Sequence, residues 1–145
     1  MIKSYIYLLV LPIFLYNNVI AQWEWQNPLP QGDILTSVDF VDSITGYIAG
    51  HNGRIMRTID GGDTWNILIS DTCATLNSIH FIDTNIGVTV GRDGLILRTT
   101  NGGQDWNIIS SGTTNDLNDV YFSNNIFGYA VGQSGTILKT IDGGI

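Results

Sequence analysis

The segment Leu35 to Trp65 reads LTSVDFVDSITGYIAGHNGRIMRTIDGGDTW, and its pattern returns twice at a shift of 41 residues with no insertion or deletion. The second copy, Leu76 to Trp106, reads LNSIHFIDTNIGVTVGRDGLILRTTNGGQDW, and the third, Leu117 to Ile145, reads LNDVYFSNNIFGYAVGQSGTILKTIDGGI. Nine of the 29 positions that all three copies cover are identical, and five of these nine are glycine. A gapless self-similarity of this length indicates a repeat architecture, so this segment decides the fold.

Each copy contains four short stretches that are typical of strands. In the first copy they are Leu35 to Phe40, Gly46 to Gly50, Arg54 to Thr58 and Thr64 to Ile69. Val38 and Phe40 share one side of the first stretch and Asp39 takes the other, which is the alternation of a strand. The tip between Gly50 and Gly53 predicts a tight hairpin, because glycine enters the positive-φ region at little cost. No stretch has the 3.6-residue periodicity of a helix, so the chain is predicted to be all-β.

A unit of about 40 residues with four strands and a tryptophan predicts one blade of a β-propeller. The 41-residue repeat divides the chain into blades at 35–75, 76–116 and 117–145, the last one truncated. Three blades cannot close a ring, so we expect the chain to be the N-terminal portion of a longer propeller. The alternative is a three-blade protein that closes its ring by oligomerising. The unpaired blade edges give such a fragment a means of self-association.

The N-terminus has the pattern of a secretory signal peptide at residues 1–21. Lys3 is followed by twelve apolar or aromatic residues, Tyr5 to Tyr16, and the small residue Ala21 ends the segment. The alternative is an uncleaved membrane anchor, but a spanning helix needs ~20 apolar residues and Pro12 interrupts a shorter run. We therefore expect a secreted protein, extracellular, periplasmic or at the cell surface, with no membrane span after cleavage.

Residues 22–34 are predicted to hold a closing strand and a linker. The stretch Trp23 to Gln26 precedes Leu35 by about the distance that separates Trp65 from Leu76, which indicates a spare fourth strand. In propellers such a strand closes the ring by completing the last blade.

The composition excludes two classes of protein. The chain has 13 Asp and Glu against 6 Lys and Arg, for a formal net charge of -7, yet 43% of it is hydrophobic. A disordered chain needs high charge with low hydrophobicity, and a nucleic-acid binder needs clustered Lys and Arg, so neither class fits. Cys73 is the single cysteine. No intrachain disulfide can form, and we expect Cys73 to be a small buried hydrophobe.

The turn after the third strand carries the motif by which the repeat resembles a known family. Counted from a Thr, the motif has an Asp or Asn two residues later, a Gly four residues later and a Trp seven residues later. This is the Asp box of BNR-repeat propellers. The positions are Thr58, Asp60, Gly62 and Trp65, then Thr99, Asn101, Gly103 and Trp106, then Thr140, Asp142 and Gly144. With the glycine spacing before it, the repeat resembles the photosystem II assembly and stability factor-like family of secreted bacterial proteins. The resemblance covers Trp23 to Ile145 and implies the propeller fold, while the photosystem role is not carried over to this chain.

The Asp box is expected to be structural. A short acceptor such as the Asp60 carboxylate can bond the N–H groups of its own turn, and Gly62 allows a left-handed turn. Asn101 offers the same acceptor without a charge, so the role does not require ionisation, which argues against a catalytic acid or nucleophile. The Asp spacing of a calcium loop is absent, and His51 and His80 lack the spacing of zinc ligands. We therefore predict no catalytic residue, no metal and no cofactor.

The alternative function is a sialidase-like glycoside-binding or glycoside hydrolase propeller, because those enzymes share the Asp box. Resemblance to them implies an arginine cluster, a Tyr–Glu nucleophile pair and an Asp acid. In this chain Arg57 and Arg98 recur at one repeat position, with Lys139 as the third, and the single Glu is Glu24. No singular set converges on one centre, so the catalytic residues would have to lie in further blades. We expect the basic row to pair locally with Asp carboxylates; the alternative is that it meets an acidic partner.

The hairpin tips differ between copies and form the candidate binding rim, together with the connecting loops around Asp71 and Asn115-Asp116. The tip residues are His51 and Asn52, Arg92 and Asp93, and Gln133 and Ser134. Variable loops on a rigid scaffold are the usual form of a binding surface, although tips also vary where nothing constrains them. We therefore predict a secreted, non-catalytic β-propeller that binds an unknown protein or cell-surface partner, or acts as an assembly scaffold.

Overall fold

A computed structural model of the protein describes residues 23, 32–68 and 72–145. The predicted signal peptide, residues 1–21, lies outside this part of the chain, as do Asp71 and the predicted closing strand apart from Trp23. Trp23 is fully exposed and belongs to no strand. Within the described ranges, no helix is long and apolar enough to cross a membrane.

The described residues form eleven strands in three antiparallel sheets. The strands of the first sheet are β1 (Leu35–Phe40), β2 (Gly46–Gly50), β3 (Ile55–Thr58) and β4 (Asn66–Leu68). Those of the second are β5 (Leu76–Phe81), β6 (Gly87–Gly91), β7 (Ile96–Thr99) and β8 (Asn107–Ile109). Those of the third are β9 (Leu117–Phe122), β10 (Gly128–Gly132) and β11 (Ile137–Thr140). Each strand pairs with the next in sequence, so every sheet is one meandering blade and the all-β prediction is confirmed.

Two strands of the first blade begin later than predicted, because the turns before them are longer. We expected the third strand from Arg54, but β3 begins at Ile55, since the Arg54 N–H closes the preceding tip by bonding the His51 carbonyl oxygen at 3.1 Å. We expected the fourth strand from Thr64, but β4 begins at Asn66. The Thr64 N–H is held by the Asp box at 2.9 Å and is therefore part of the turn.

The pairing register repeats from blade to blade. Opposed residues of the second and third strands are Tyr47 and Arg57, Val88 and Arg98, and Tyr129 and Lys139. The first strand also has an irregularity at the same place in each blade, between Leu35 and Ser37 in β1 and between Leu76 and Ser78 in β5. One backbone geometry is therefore used three times, as the gapless repeat predicts.

The hydrophobic core lies between the blades. One cluster joins the first two blades and contains Tyr47, Ala49, Ile55, Leu76, Ile79, Phe81 and Leu97. A second joins the second and third blades and contains Val88, Val90, Leu117, Val120, Phe122 and Ala130. A single sheet of this size cannot bury its own faces, so each blade depends on its neighbour for stability.

The outer faces of the first and third blades are open. Phe40 in β1 is 42% exposed, whereas Phe81, the same repeat position in the second blade, is 4% exposed. Tyr129 in β10 is 44% exposed, whereas its counterpart Tyr47 is fully buried. Burial at these positions therefore comes from the adjacent blade and not from the blade itself.

The prediction that Cys73 is buried is wrong. Cys73 is exposed in the connector between β4 and β5. Within that connector the Thr72 hydroxyl accepts the N–H of Ala74 at 3.0 Å. This bond satisfies the Ala74 N–H beside the exposed Cys73 side chain.

Candidate functional site

The strands of every blade run between two rims. The first, called here the tip rim, carries the turns His51–Gly53, Arg92–Gly94 and Gln133–Gly135 and the connectors between blades. The second, the Asp-box rim, carries the Asp boxes and the turns between the first and second strands of each blade. Because consecutive strands are antiparallel, these two sets of loops lie at opposite ends of the sheets. The candidate binding residues therefore share the tip rim, and the Asp-box residues share the opposite rim.

All three tips have the same backbone. Asn52, Asp93 and Ser134 have left-handed φ angles of 56°, 55° and 54°. The residue before the first tip, Gly50, is extended with φ of -166°, so one of the two flanking glycines does not take a positive φ. Only the second one, Gly53, has it, at 67°. In each tip the second and third residues are both left-handed, and the varying side chains project from this constant frame.

Each tip is hydrogen-bonded to the connectors beside it. The His51 N–H donates to the Ile34 carbonyl oxygen at 2.8 Å, just before β1. The Gly53 N–H donates to the Ala74 carbonyl oxygen at 2.7 Å, just before β5 of the next blade. The second and third tips repeat the first of these bonds at 3.0 Å and 2.8 Å. The tips are therefore fixed to the body of the array.

An ion pair anchors the first tip. The Arg54 guanidinium donates to Asp33 Oδ2 from Nη2 at 2.7 Å and from Nε at 3.0 Å. Asn52 Nδ2 donates to the other carboxylate oxygen of Asp33 at 2.7 Å. These bonds, the Arg54 one foremost, lower the pKa of Asp33. Neither Asp33 nor Arg54 was among the predicted site residues.

Asp116 links the second and third tips. Its Oδ1 accepts the Asp93 N–H at 3.0 Å, and its Oδ2 accepts Gln133 Nε2 at 3.0 Å. The predicted residues that are exposed on the tip rim are Asn52, Arg92, Asp93, Gln133 and Ser134, while His51 is half-buried. The structure thus brings Asp93 and Gln133 together through one carboxylate and places the Arg92 side chain nearby in solvent.

A shallow polar depression of about 570 Å³ adjoins the second tip. Asp93 and Gly94 form one side of it, and the connector from Ile109 to Thr114, which is rich in hydroxyl side chains, forms the other. Hydroxyl groups both donate and accept hydrogen bonds, so this surface can satisfy an exposed polypeptide backbone.

The Asp60 carboxylate is fully used inside its own turn. The Thr58 hydroxyl donates to Asp60 Oδ1 at 2.6 Å and accepts the Gly62 N–H at 3.0 Å. The Thr64 N–H donates to the same carboxylate at 2.9 Å. The Thr58 hydroxyl bond, followed by those from Thr64, lowers the pKa of Asp60 to about 2. This carboxylate is therefore ionised at neutral pH and serves as a turn acceptor.

The second Asp box works without the charge. Asn101 Oδ1 accepts the Thr99 hydroxyl at 2.9 Å and the Asp105 N–H at 3.0 Å. Thr99 is completely buried and also accepts the Gly103 N–H at 2.9 Å. Trp106 closes this turn, because its Nε1 donates to the Gly103 carbonyl oxygen at 3.1 Å. The third box repeats the pattern, with the Thr140 hydroxyl donating to Asp142 at 2.6 Å and lowering the pKa of Asp142.

The basic row does not pair with Asp carboxylates as predicted. Arg98 Nε donates to the Gly143 carbonyl oxygen of the third blade at 2.9 Å. The Arg57 guanidinium lies 5.7 Å from the centre of the Tyr47 ring and beside Gly102 of the second blade. Each arginine therefore crosses to the Asp-box turn of the following blade. The register explains this, because each member lies opposite an inter-blade residue of the second strand.

No group of three His, Cys, Asp or Glu side chains within residues 32–68 and 72–145 is placed to share a metal ion. His80 lies on β5, with its Nδ1 3.6 Å from Asp39 Oδ2 and its ring 5.0 Å from that of Tyr121. His51 lies on the tip rim. The two histidines are therefore in different parts of the blades.

The family model described as photosynthesis system II assembly factor YCF48 matches residues 16–114, which is more than half of the chain. The chain belongs to the YCF48 family.

Two solved YCF48 structures resemble the chain. A structure described as YCF48 bound to D1 peptide is 30% identical with a TM-score of 0.71, and the match covers 80% of this chain and 39% of that one. YCF48 from Cyanidioschyzon merolae is 26% identical with a TM-score of 0.71, and the match covers 81% of this chain and 40% of that one. The chain thus spans about two fifths of the length of the YCF48 chains that it matches. The propeller prediction and the resemblance to the photosystem II assembly factor family are confirmed.

A third solved structure shares the fold alone. An ancestral GH74 enzyme is 16% identical with a TM-score of 0.60, and the match covers 76% of this chain and 17% of that enzyme. A comparison with curated protein sequences gives no significant match.

Within this YCF48 family member, the anchor formed by Asp33 and Arg54 is the site feature that the sequence prediction missed. The sequence does contain an indication of this anchor. Position 54 is Leu95 in the second copy and Thr136 in the third, so Arg54 is a singular charge at a repeated position. The ion pair is confined to the first copy, although the third copy joins the same two repeat positions by a hydrogen bond from Asn115 Nδ2 to Thr136 Oγ1 at 2.9 Å.

Proposed function

We propose that the chain is a secreted, non-catalytic propeller that binds a segment of a partner protein on the tip rim and so acts as an assembly scaffold. The observation that carries the proposal is the 30% identical YCF48 structure, which is described as bound to D1 peptide. Membership of a family of assembly factors supports the same role.

The tip rim has the properties of a recognition surface. Its three tips share one backbone, yet they present Asn52, Arg92-Asp93 and Gln133-Ser134 as different exposed side chains. The bonds from the tips to the connectors hold the tip backbones in place before a ligand arrives, and the Asp33 and Asp116 anchors hold the Asn52 and Gln133 side chains. Preorganisation of this kind lowers the entropic cost of binding.

The side chains that a hydrolase would need have structural partners. Asp60 is ionised and bonded within its turn, so it has no proton to donate near neutral pH. Arg98 is bonded to the next blade and Arg57 is stacked on Tyr47, so the two do not converge on a substrate carboxylate. These contacts favour the scaffold over the sialidase-like alternative, for which we find no specific support in the described blades.

Peptide binding by the mature chain tests the proposal. Random displayed peptides, and a D1 peptide as a defined probe, would be bound to residues 22–145, and their affinities measured by fluorescence anisotropy. We expect a double substitution on the tip rim, Arg92→Ala with Gln133→Ala, to weaken binding at least tenfold. The matched control is Asp63→Ala with Gln104→Ala, two exposed residues on the Asp-box rim. Equal binding by the two double variants, or no peptide bound at all, would contradict the proposal.

Secretion has its own test. The gene would be expressed with its natural N-terminus, and the exported protein would be collected and sequenced from its first residue. We expect export with an N-terminus at Gln22. Retention in the membrane with Met1 or Lys3 still present would support the anchor alternative.

A further inference from the structure

The polar depression beside the second tip contains one charged side chain. Within the described part of the chain eight residues line this depression, and Asp93 is the charged residue among them. Arg92, the neighbouring cation of the same tip, does not belong to the lining. The rest of the lining consists of glycine, serine and threonine residues and of Ile109. The electrostatic character of the depression is therefore set by the Asp93 carboxylate.

The Asp93 carboxylate differs from the carboxylates of Asp33 and Asp116 on the same rim. Asp33 is paired with Arg54 at 2.7 Å, and both side-chain oxygens of Asp116 accept hydrogen bonds from the second and third tips. Neither side-chain oxygen of Asp93 is hydrogen-bonded or ion-paired with another residue of the described blades. This exposed carboxylate is therefore available to a ligand.

Both walls of the depression are held in place by hydrogen bonds. On the tip side, the Asp93 N–H donates to Asp116 Oδ1 at 3.0 Å. On the connector side, the Ser111 hydroxyl accepts the Thr113 N–H at 3.3 Å and donates to the Thr113 carbonyl oxygen at 3.1 Å. The walls also pack closely where they meet, since a Cβ on Gly94 would lie 2.0 Å from that carbonyl oxygen. The site therefore exists before a ligand arrives, which lowers the cost of binding.

The connector wall offers hydrogen-bond acceptors and one apolar side chain. Ser110 and Thr114 are exposed, and neither hydroxyl is bonded to another residue that the structure describes. Ile109 is half-buried at the start of the wall, and a Cβ on Gly112 would meet nothing within 4 Å, which leaves open space. Hydroxyl oxygens accept hydrogen bonds from a cation, and the isoleucine can cover an aliphatic stem.

From this lining we infer that the depression binds a lysine or arginine side chain of a partner polypeptide, with Asp93 as the counter-ion. The inference rests on the proposed function, because it assigns one side chain of the segment that the tip rim binds. Lysine and arginine join an aliphatic stem to N–H donors that carry a positive charge, so they match Ile109, the hydroxyls and the carboxylate. An acidic side chain would be repelled by Asp93, and an apolar one would desolvate the carboxylate without pairing it.

The other two tips supply substitutions that remove the charge and keep the backbone. The position of Asp93 is occupied by Asn52 in the first tip and by Ser134 in the third. All three residues have the same left-handed conformation, with φ between 54° and 56°. Asp93→Asn and Asp93→Ser therefore introduce side chains that this turn already carries elsewhere in the chain. Both variants are expected to fold and to lack only the charge.

Three short peptides test the inference on the mature chain, residues 22–145. They have the sequence acetyl-Gly-Gly-X-Gly-Gly-amide, where X is lysine, norleucine or glutamate, and norleucine keeps an aliphatic chain without the ammonium group. Each peptide would be titrated into the chain labelled with nitrogen-15, and binding would be followed by the amide NMR signals of Gly94 and Gly112. We expect the lysine peptide to bind at least threefold more tightly than the norleucine peptide, and the glutamate peptide to bind most weakly.

The variants show whether Asp93 causes this preference. With Asp93→Asn and with Asp93→Ser, the lysine and norleucine peptides should bind equally. Asp63→Asn is the matched control, because Asp63 is exposed on the Asp-box rim and its substitution changes the net charge by the same amount. This control should keep the preference for lysine. Raising the salt concentration from ~50 mM to ~500 mM should reduce the preference in the unmodified chain, since salt screens an exposed ion pair.

Three results would overturn the inference. The first is equal binding of the lysine and norleucine peptides by the unmodified chain, and the second is a preference for lysine that persists in both Asp93 variants. The third is a lysine peptide that leaves the signals of Gly94 and Gly112 unchanged. None of these results contradicts the proposed function, which depends on the response of selected peptides to the Arg92 and Gln133 substitutions. The two proposals can therefore fail separately.

Discussion

The aromatic rings of Tyr47 and Phe81 lie parallel across the boundary between the first two blades, with centroids 3.4 Å apart and planes within 5° of each other. The Tyr47 hydroxyl donates to the Thr84 carbonyl oxygen at 3.2 Å, and burial of the side chain raises the pKa of its phenol. Trp106 meets the edge of the Phe81 ring at 5.9 Å. Phe81, whose repeat position is Phe in all three copies, therefore helps to join two blades.

Phenylalanine at the same repeat position should contribute unequally to stability in different blades. Phe81→Ala removes a buried ring from the first inter-blade core, and we expect a loss of ~3–5 kcal/mol in the free energy of unfolding. Phe40→Ala is the matched control and should cost clearly less, because Phe40 is 42% exposed. Urea unfolding followed by tryptophan fluorescence measures both. Equal losses would show that each blade is stabilised from within.

The first Asp box should make folding stability depend on acid, and the second should not. Hydrogen bonds lower the pKa of Asp60 to about 2 in the folded chain, below its ordinary value near 3.8. The folded state therefore binds this proton more weakly than the unfolded state, so the contribution of Asp60 is fully present above pH ~4 and is lost as the pH falls towards 2. Asp60→Asn should keep most of the stability at pH 7 and flatten the loss between pH 4 and 2.

The reciprocal change in the second blade is the control for this prediction. Asn101→Asp combined with Asp105→Thr should add a second acid-dependent contribution in the same pH range, because the Thr99 hydroxyl and the N–H of residue 105 already point at that oxygen. The second change is needed because Asn101 Nδ2 donates to Asp105 Oδ2 at 2.8 Å, and Asn101→Asp alone would set two carboxylates against each other there. Chemical unfolding at a series of pH values measures both variants. Parallel pH profiles for the unmodified chain and for Asp60→Asn would contradict the role of the carboxylate.

The buried threonine of the Asp box should be needed for its hydroxyl and not for its shape. Thr99→Val has nearly the same volume, but it leaves the Gly103 N–H without the acceptor that it meets at 2.9 Å. An unsatisfied buried donor costs ~1–3 kcal/mol, and we expect that loss in the free energy of unfolding. Thr100→Val, on the exposed neighbouring residue, is the control and should change stability by less than ~0.5 kcal/mol. Similar effects of the two substitutions would argue against the hydroxyl.

The sheets could be predicted from the sequence because the residues that determine them are close together in the chain and recur in every copy. The turn glycines and the alternation around Val38 and Phe40 recur in every copy, so the strands could be assigned to within one or two residues at their starts. The acceptor role of Asp60 also followed from local chemistry, since Asn101 performs it in the next copy. These features require knowledge of a single blade only.

The contacts between blades could not be predicted from the sequence, because they depend on how the blades are placed relative to one another. Arg98 was expected to meet a carboxylate, but it bonds the Gly143 carbonyl oxygen 45 residues away. The Arg98 side chain points towards the third blade because Arg98 is paired with Val88. That pairing register can be assigned only once the geometry of the hairpin turn is known. The burial of Cys73 was predicted wrongly for a related reason. A single apolar residue between two strands does not show whether its side chain points into the core or into solvent.

Two tip glycines with the same backbone should respond differently to the same substitution. Gly94 and Gly135 have φ of +71° and +72°, so alanine at either position is strained by ~1–2 kcal/mol. A Cβ on Gly94 would also lie 2.0 Å from the Thr113 carbonyl oxygen, whereas a Cβ on Gly135 meets nothing within 4 Å. Gly94→Ala must therefore displace the connector and should cost a further ~1–3 kcal/mol. Thermal unfolding of both variants measures the difference, and equal midpoints would mean that the connector at Thr113 moves freely and does not hold the tip.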